Sequence, residues 1–134
     1  MKAIELSVST AAKTDFKNIT KDVQKAVKDS EIRNGLCTVY IPHTTAGVTI
    51  NEAADPDVVS DIQMELSKIV PFNDNYAHME GNSAAHIKTS MVGPSIGIPI
   101  IDGSLSLGTW QGIFFCEFDG PRRRKAIVQC IPSE

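Results

Sequence analysis

Long hydrophobic runs are missing from this 134-residue chain. A membrane-crossing helix needs about 20 consecutive apolar residues, so none is expected. A basic excess is missing too: 13 Lys and Arg stand against 16 Asp and Glu, a formal net charge of −3. That balance argues against a general nucleic-acid binder, which carries a basic surplus. The N-terminal stretch MKAIELSVSTAAKTD holds no apolar run of signal-peptide length. Cysteine is scarce and odd in number: Cys37, Cys116 and Cys130. They follow no metal-like spacing, and each sits in an apolar, strand-like stretch (LCTVY, FFCEF, IVQCI). The expectation is three buried, inert thiols in a reducing cytosol rather than a nucleophile. No nucleotide-binding loop and no nucleophile elbow is present.

What remains is an ordinary globular composition, 42% hydrophobic and 22% charged. It fits one domain over residues 1–134 with one core. The periodicities predict α+β. Strands are expected over 2–9, 36–41 and 46–50, and then in SIGIPII, SLSLGTW, GIFFCEF and RKAIVQCI. That makes about seven mostly antiparallel strands, short enough to pack as two sheets. Two to three helices accompany them. Thr20 is expected to cap a helix through Ser30 that Asn34-Gly35 stops. Asp55-Pro56 announces a second, with an apolar stripe of Val58, Val59, Ile62, Leu66 and Ile69, closed by Pro71. Asp57, Asp61 and Glu65 form an acidic row on another of its faces, by default a solvated one. Ser83 is expected to cap a third through Met91. Asp102-Gly103 and Asp119-Gly120 signal turns. The run Arg122-Arg123-Arg124-Lys125 reads as a solvated strand start.

The chemistry available centres on three histidines. His78 and His86 lie eight residues apart, roughly 12 Å along a continuous helix, too far to share an ion. If Gly81-Asn82 breaks the chain direction, a loop bearing His78 can fold back onto a helix bearing His86. His43 follows Pro42 at a strand end, where a side chain can project into a shared pocket. Three converging imidazoles would make an open zinc site with a fourth position for water or substrate. Glu52, Asp61 and Glu80 are candidates to fix imidazole tautomers. The spacing matches no short zinc signature, so a polar loop stands beside the metal site as a reading. Gly81-Asn82-Ser83 also opens a helix, whose free amides attract anions, and Lys88 one turn in could add charge. A plain helix start is the commoner case. Trp110, in GTWQG, is expected to pack in the core or an interface.

HTTAGVTINE (43–52), ADPDV (54–58), GNSAAHIK (81–88) and LGTWQGIFFCEFDGPRRRK (107–125) resemble the YjbQ-like family, also called the secondary thiamine-phosphate synthase family. The match covers nearly the whole chain, and GTWQ followed by EFDGPR is highly specific. The resemblance implies an α+β subunit assembling as a homotrimer, with a metal, zinc first and magnesium second, near His43, His78 and His86. Asn51, Glu52 and Asp61 fall on motif positions. On this reading Glu52, Asp61 or Glu80 orients ligands or moves a proton, while Asn51, Asn82, Lys88 and Arg122 hold a small phosphorylated or anionic ligand. The implied activity joins a pyrimidine diphosphate to a thiazole phosphate with loss of diphosphate. The second expectation is a trimeric metal- or anion-binding module without turnover.

Overall fold

A computed structural model describes residues 2–133. Among them it has eight strands and three helices. One sheet has five strands, β1 (Ile4–Ser9), β8 (Arg123–Pro132), β3 (Gly35–Tyr40), β5 (Ser95–Ile101) and β6 (Ser104–Leu105), in the order β1-β8-β3-β5-β6. The other has three, in the order β2 (Asp15–Asn18), β7 (Gln111–Glu117), β4 (Ala46–Glu52). All pairings are antiparallel. The expected α+β class with two packed sheets is what the chain forms. The helices are α1 (Thr20–Ser30), α2 (Pro56–Ile69) and α3 (Ser83–Val92). None of the described helices is long and apolar enough to cross a membrane.

The core follows from alternation. Along β8 every second residue, Arg124, Ala126, Val128 and Cys130, turns inward. The last three meet Cys37 and Val39 of β3, Ile98 and Ile100 of β5, and Ile113 and Phe115 of β7 in one cluster. α1 adds Val23, Ala26 and Val27. The strand β7 is buried on both faces, so Phe114 and Cys116, with Phe118 just beyond the strand, build a second cluster under α2 and α3 with Ala85. α2 has no fully buried residue. Its stripe only half-covers the three-stranded sheet, and Asp57, Asp61 and Glu65 face solvent as expected.

Several local expectations are corrected. β2 was missed, because its four residues DFKN show no clean alternation. Residues 104–110 keep only two strand residues, Ser104 and Leu105. Trp110 is 64% exposed rather than part of the core. Thr20 is the first helical residue, not the cap; Asn18 Oδ1 accepts from the Thr20 backbone N–H at 3.0 Å. That helix does end at Ser30, but a left-handed Glu31 terminates it, ahead of Asn34-Gly35. Ser83 likewise opens α3 rather than capping it, with Asn82 in the cap position. Asp55 does cap α2, accepting from Asp57 N–H at 2.9 Å, with Pro56 first in the helix.

Gly47 of β4 has no room for a Cβ, which would lie 2.5 Å from the Gly93 carbonyl oxygen. The end of α3 therefore lies flat on β4, and Val48 N–H donates to that same oxygen at 3.1 Å. Ile41 N–H donates to Pro94 O at 2.8 Å. These bonds tie the end of α3 to the segments on both sides of His43.

Candidate functional site

Strand β3 stops at Tyr40, opposite Ile127 of β8. Beyond that point one edge of β8 has lost its partner, and its next amide on that side, Lys125 N–H, needs an acceptor. His43 supplies it: Nε2 accepts from Lys125 N–H at 3.0 Å. The histidine thus continues the ladder where the strand gives out. Its imidazole pKa is lowered, by burial first and then by the Arg124 guanidinium.

Below it lies a buried ion pair. Glu117 is fully buried and Arg124 is 7% exposed. Arg124 Nε donates to Glu117 Oε1 at 2.8 Å, and Nη2 bridges Glu117 Oε2 and Thr45 Oγ1. Thr10 Oγ1 and Asp119 N–H donate to the same carboxylate, at 2.8 and 3.0 Å. Burial alone would push the Glu117 carboxyl up. The Arg124 bond, with the Asp119 and Thr10 donors, outweighs it and holds the pKa below the ordinary carboxylate value. Arg124 Nη1 has no partner among the described residues, and Arg124 lines the cavity above. Asp119 extends the network outward. Its carboxylate accepts from Asn82 Nδ2 at 2.9 Å and Arg122 Nη2 at 3.1 Å. Arg122 is thereby held at the rim, its side chain about half exposed.

The opposite wall is loop and helix. Gly81 takes a left-handed φ of 77°, and its N–H closes a turn onto His78 O at 3.3 Å. The break expected at Gly81-Asn82 is therefore present, and it folds His78 back onto His86. The two rings lie 5.5 Å apart, edge to face. Two imidazoles on one tetrahedral ion, with bonds of about 2.0–2.1 Å, put their ring centres roughly 5 Å apart. The separation of this pair is close to that spacing.

Together these residues enclose a cavity of about 470 Å³. It is lined by His43, His78, His86, Glu80, Asn82 and Arg122, all expected from the sequence, and by Thr44, Thr45, Asp119 and Arg124. The expected convergence of the histidines on one cavity is real. Yet no three His, Cys, Asp or Glu side chains among the described residues gather closely enough to hold one ion. Behind the His78–His86 pair opens a second, more apolar cavity of about 390 Å³, walled by Tyr76, Ala77 and Ile87.

Four expected residues lie elsewhere. Glu52 and Asn51 sit at the far end of β4; Glu52 Oε2 accepts from Asp55 N–H at 3.2 Å, and Asn51 Oδ1 from Glu52 N–H at 2.8 Å. Asp61 is on the exposed face of α2. Lys88 is buried on the other side of α3, donating to Ser67 Oγ at 3.3 Å. Burial, and then Lys13, lowers its ammonium pKa. None of the four lines the histidine cavity. Conversely, the sequence reading missed Arg124, taking it for part of a solvated run. Strand alternation was the signal, since Arg124 shares the inward face with Ala126, Val128 and Cys130. The cysteines are free and buried as expected. Burial first, and then neighbouring Cys130, pushes the Cys37 thiol up to about 12, and burial also raises that of Cys116.

Two antiparallel sheets with a polar histidine and arginine cavity at one end define the class of protein. Comparison with known proteins gives the family. The profile described as UPF0047 protein YjbQ-like matches residues 4–133, and the chain belongs to that family. A UPF0047 protein of Methanocaldococcus jannaschii is 52% identical, over 92% of this chain and 90% of its own length. YugU of Bacillus subtilis is 45% identical, over 94% and 96%. A crystal structure of a YjbQ/UPF0047 family protein from Clostridium acetobutylicum superposes with a TM-score of 0.94 at 54% identity, covering 96% of this chain and 99% of that one. One from Sulfolobus solfataricus also gives 0.94, at 30% identity, covering 98% and 97%.

Proposed function

We propose that the cavity binds a small phosphorylated metabolite, with a divalent metal ion, zinc first, held between His78 and His86. The observation that carries this reading is the division of the cavity lining. One wall offers arginine and imidazole donors, Arg122, Arg124 and His43. The other offers two imidazoles whose ring centres lie 5.5 Å apart. Arginine is suited to phosphate through its planar fork of donors. The adjoining apolar cavity gives an organic ring somewhere to sit while its phosphate occupies the polar side. A bound ion would supply a Lewis acid toward a phosphate oxygen. The chain's own residues do the rest: Arg122 and Arg124 neutralise charge, Asn82 and Asp119 fix Arg122, and Glu80 stands at the cavity to take up a proton.

Titration calorimetry with inorganic phosphate and diphosphate tests the binding. Arg122→Ala is expected to weaken both by roughly 10- to 150-fold, since a hydrogen bond to a charged group is worth about 1.5–3 kcal/mol. Unchanged affinity in this variant sinks the reading.

A second reading adds turnover: displacement of diphosphate from a pyrimidine by a thiazole phosphate, as a secondary thiamine-phosphate synthase activity. The cationic lining, Arg122 and Arg124, favours it, because a departing diphosphate needs charge neutralisation. Mass-spectrometric detection of thiamine phosphate with the wild type, and its loss in His86→Ala, would establish it. Tight binding without product leaves the binding module. A homotrimer is part of the same proposal. Leu36, Tyr40, Ile101 and Ile131 of the five-stranded sheet support it, because all four are exposed to solvent. A monomer mass by light scattering at micromolar protein would refute it. The three buried free thiols support a reducing, cytoplasmic setting.

A further inference from the structure

The three histidines are not equivalent, and the hydrogen bond at His43 divides them. A backbone N–H can donate only to a bare ring nitrogen. Lys125 N–H donates to His43 Nε2 at 3.0 Å, so Nε2 carries no proton. In a neutral imidazole the proton is then on Nδ1. That nitrogen has no partner among the described residues, while the His43 side chain lines the cavity. A nitrogen that carries a proton has no lone pair for a metal, and the nitrogen that has one is already spent on the backbone.

We infer that His43 is not a metal ligand but a hydrogen-bond donor of fixed tautomer, presenting Nδ1–H to an oxygen of the anion bound in the cavity. The inference rests on the anion-binding reading above and makes it more specific. On this assignment only His78 and His86 remain for the ion. The tautomer is held by the fold at several points. Lys125 is in register with Ser7 of β1, which fixes the donor amide. Arg124, the residue before it, is anchored on Glu117 and on Thr45, two residues beyond His43. The bond from Lys125 is therefore set by the same buried network that places Arg124 under the cavity. Burial, and then the Arg124 guanidinium, lowers the imidazole pKa and so favours the neutral ring. A neutral histidine locked by one backbone bond polarises a bound oxygen without adding charge.

Nitrogen-15 NMR of the ring nitrogens in the full chain tests the tautomer directly. His43 is expected to show a bare Nε2 and a protonated Nδ1, neither moving by a metal-ligand shift when zinc is added, while ring nitrogens of His78 and His86 shift. Two substitutions separate the two edges of the ring. His43→Asn keeps a donor at the Nδ1 position, and His43→Gln keeps an acceptor for Lys125 N–H. Both are expected to hold zinc within about threefold of wild type. Inorganic phosphate should bind at least about tenfold more weakly to His43→Gln than to His43→Asn, the loss of one donor to a charged group. A protonated Nε2, or loss of zinc from both variants alongside His78→Ala and His86→Ala, overturns the inference and leaves the metal and phosphate reading standing. A wild type that binds no zinc and no phosphate ends that reading. The NMR tautomer then still decides whether His43 is a fixed donor or an ordinary exposed ring.

Discussion

The two walls of the cavity are built on opposite principles. The sheet wall, His43, Thr45, Glu117 and Arg124, is anchored by buried groups: the Glu117 carboxylate is satisfied, and Nε and Nη2 of Arg124 are held by Glu117 and Thr45. The loop wall, from His78 to Asn82, is mostly exposed; Met79 between its functional residues is 99% accessible. The helix before it in the chain, α2, buries no residue completely. The difference teaches which wall recognises and which wall adjusts. On the proposed reading, Arg124 stands on β8 and His43 is tied to that strand through Lys125 N–H, so the fold places both before any ligand arrives. Of the two imidazoles proposed to hold the ion, His86 stands on α3 and His78 on the exposed loop, where a few tenths of an ångström of movement cost little.

The sharpest way to break this contrast is to remove the support under the sheet wall. Glu117→Ala strands Arg124 as a buried, unpaired cation, and loss of about 3–5 kcal/mol of stability is expected. Urea unfolding measures it; a change below about 1 kcal/mol would mean that the network is not what holds this wall.

A smaller effect comes from pH. The Glu117 pKa is depressed in the fold, so its contribution is present above the unfolded value and lost as pH falls through the folded one. The His43 pKa is also lowered, so the unfolded chain binds the proton more readily, and stability falls as pH drops below about 6.5. Both shifts have the same sign, and thermal midpoints are expected to decline continuously from neutral to acid pH. A midpoint that rises over that range contradicts both assignments.

The smallest effect is expected on the loop wall. Met79→Ala and Glu80→Ala should change stability by no more than about 0.5 kcal/mol in the same unfolding experiment. A larger loss would show that this loop is part of the fold's support.

How much of the molecule was legible in its sequence divides along the same line. The sheets were readable because alternation in RKAIVQCI and the β-rich run GIFFCEF are local properties of the chain. The fold-back of His78 was readable too, because Gly81 is a residue that takes a left-handed turn without strain. Arg124 was not recognised, since a basic run looks solvated until a strand's period is laid over it. The bond from Lys125 to His43 could not be foreseen, because it depends on where β3 stops against β8, a matter of register between segments 82 residues apart. Asn51 and Glu52 were drawn into the site by sitting in one motif with His43. A strand separates them: β4 carries its two ends in opposite directions, and Glu52 pairs with Gln111 while Ala46 pairs with Glu117.

The central claim, that a phosphate-binding cavity holds a metal through His78 of the loop and His86 of α3, is tested most directly by elemental analysis. The native protein, purified without added metal, is measured beside His78→Ala and His86→Ala. The account predicts about one divalent ion per chain in the wild type, zinc foremost, and its loss from both variants. Full metal content in either variant, or none in the wild type, would contradict it.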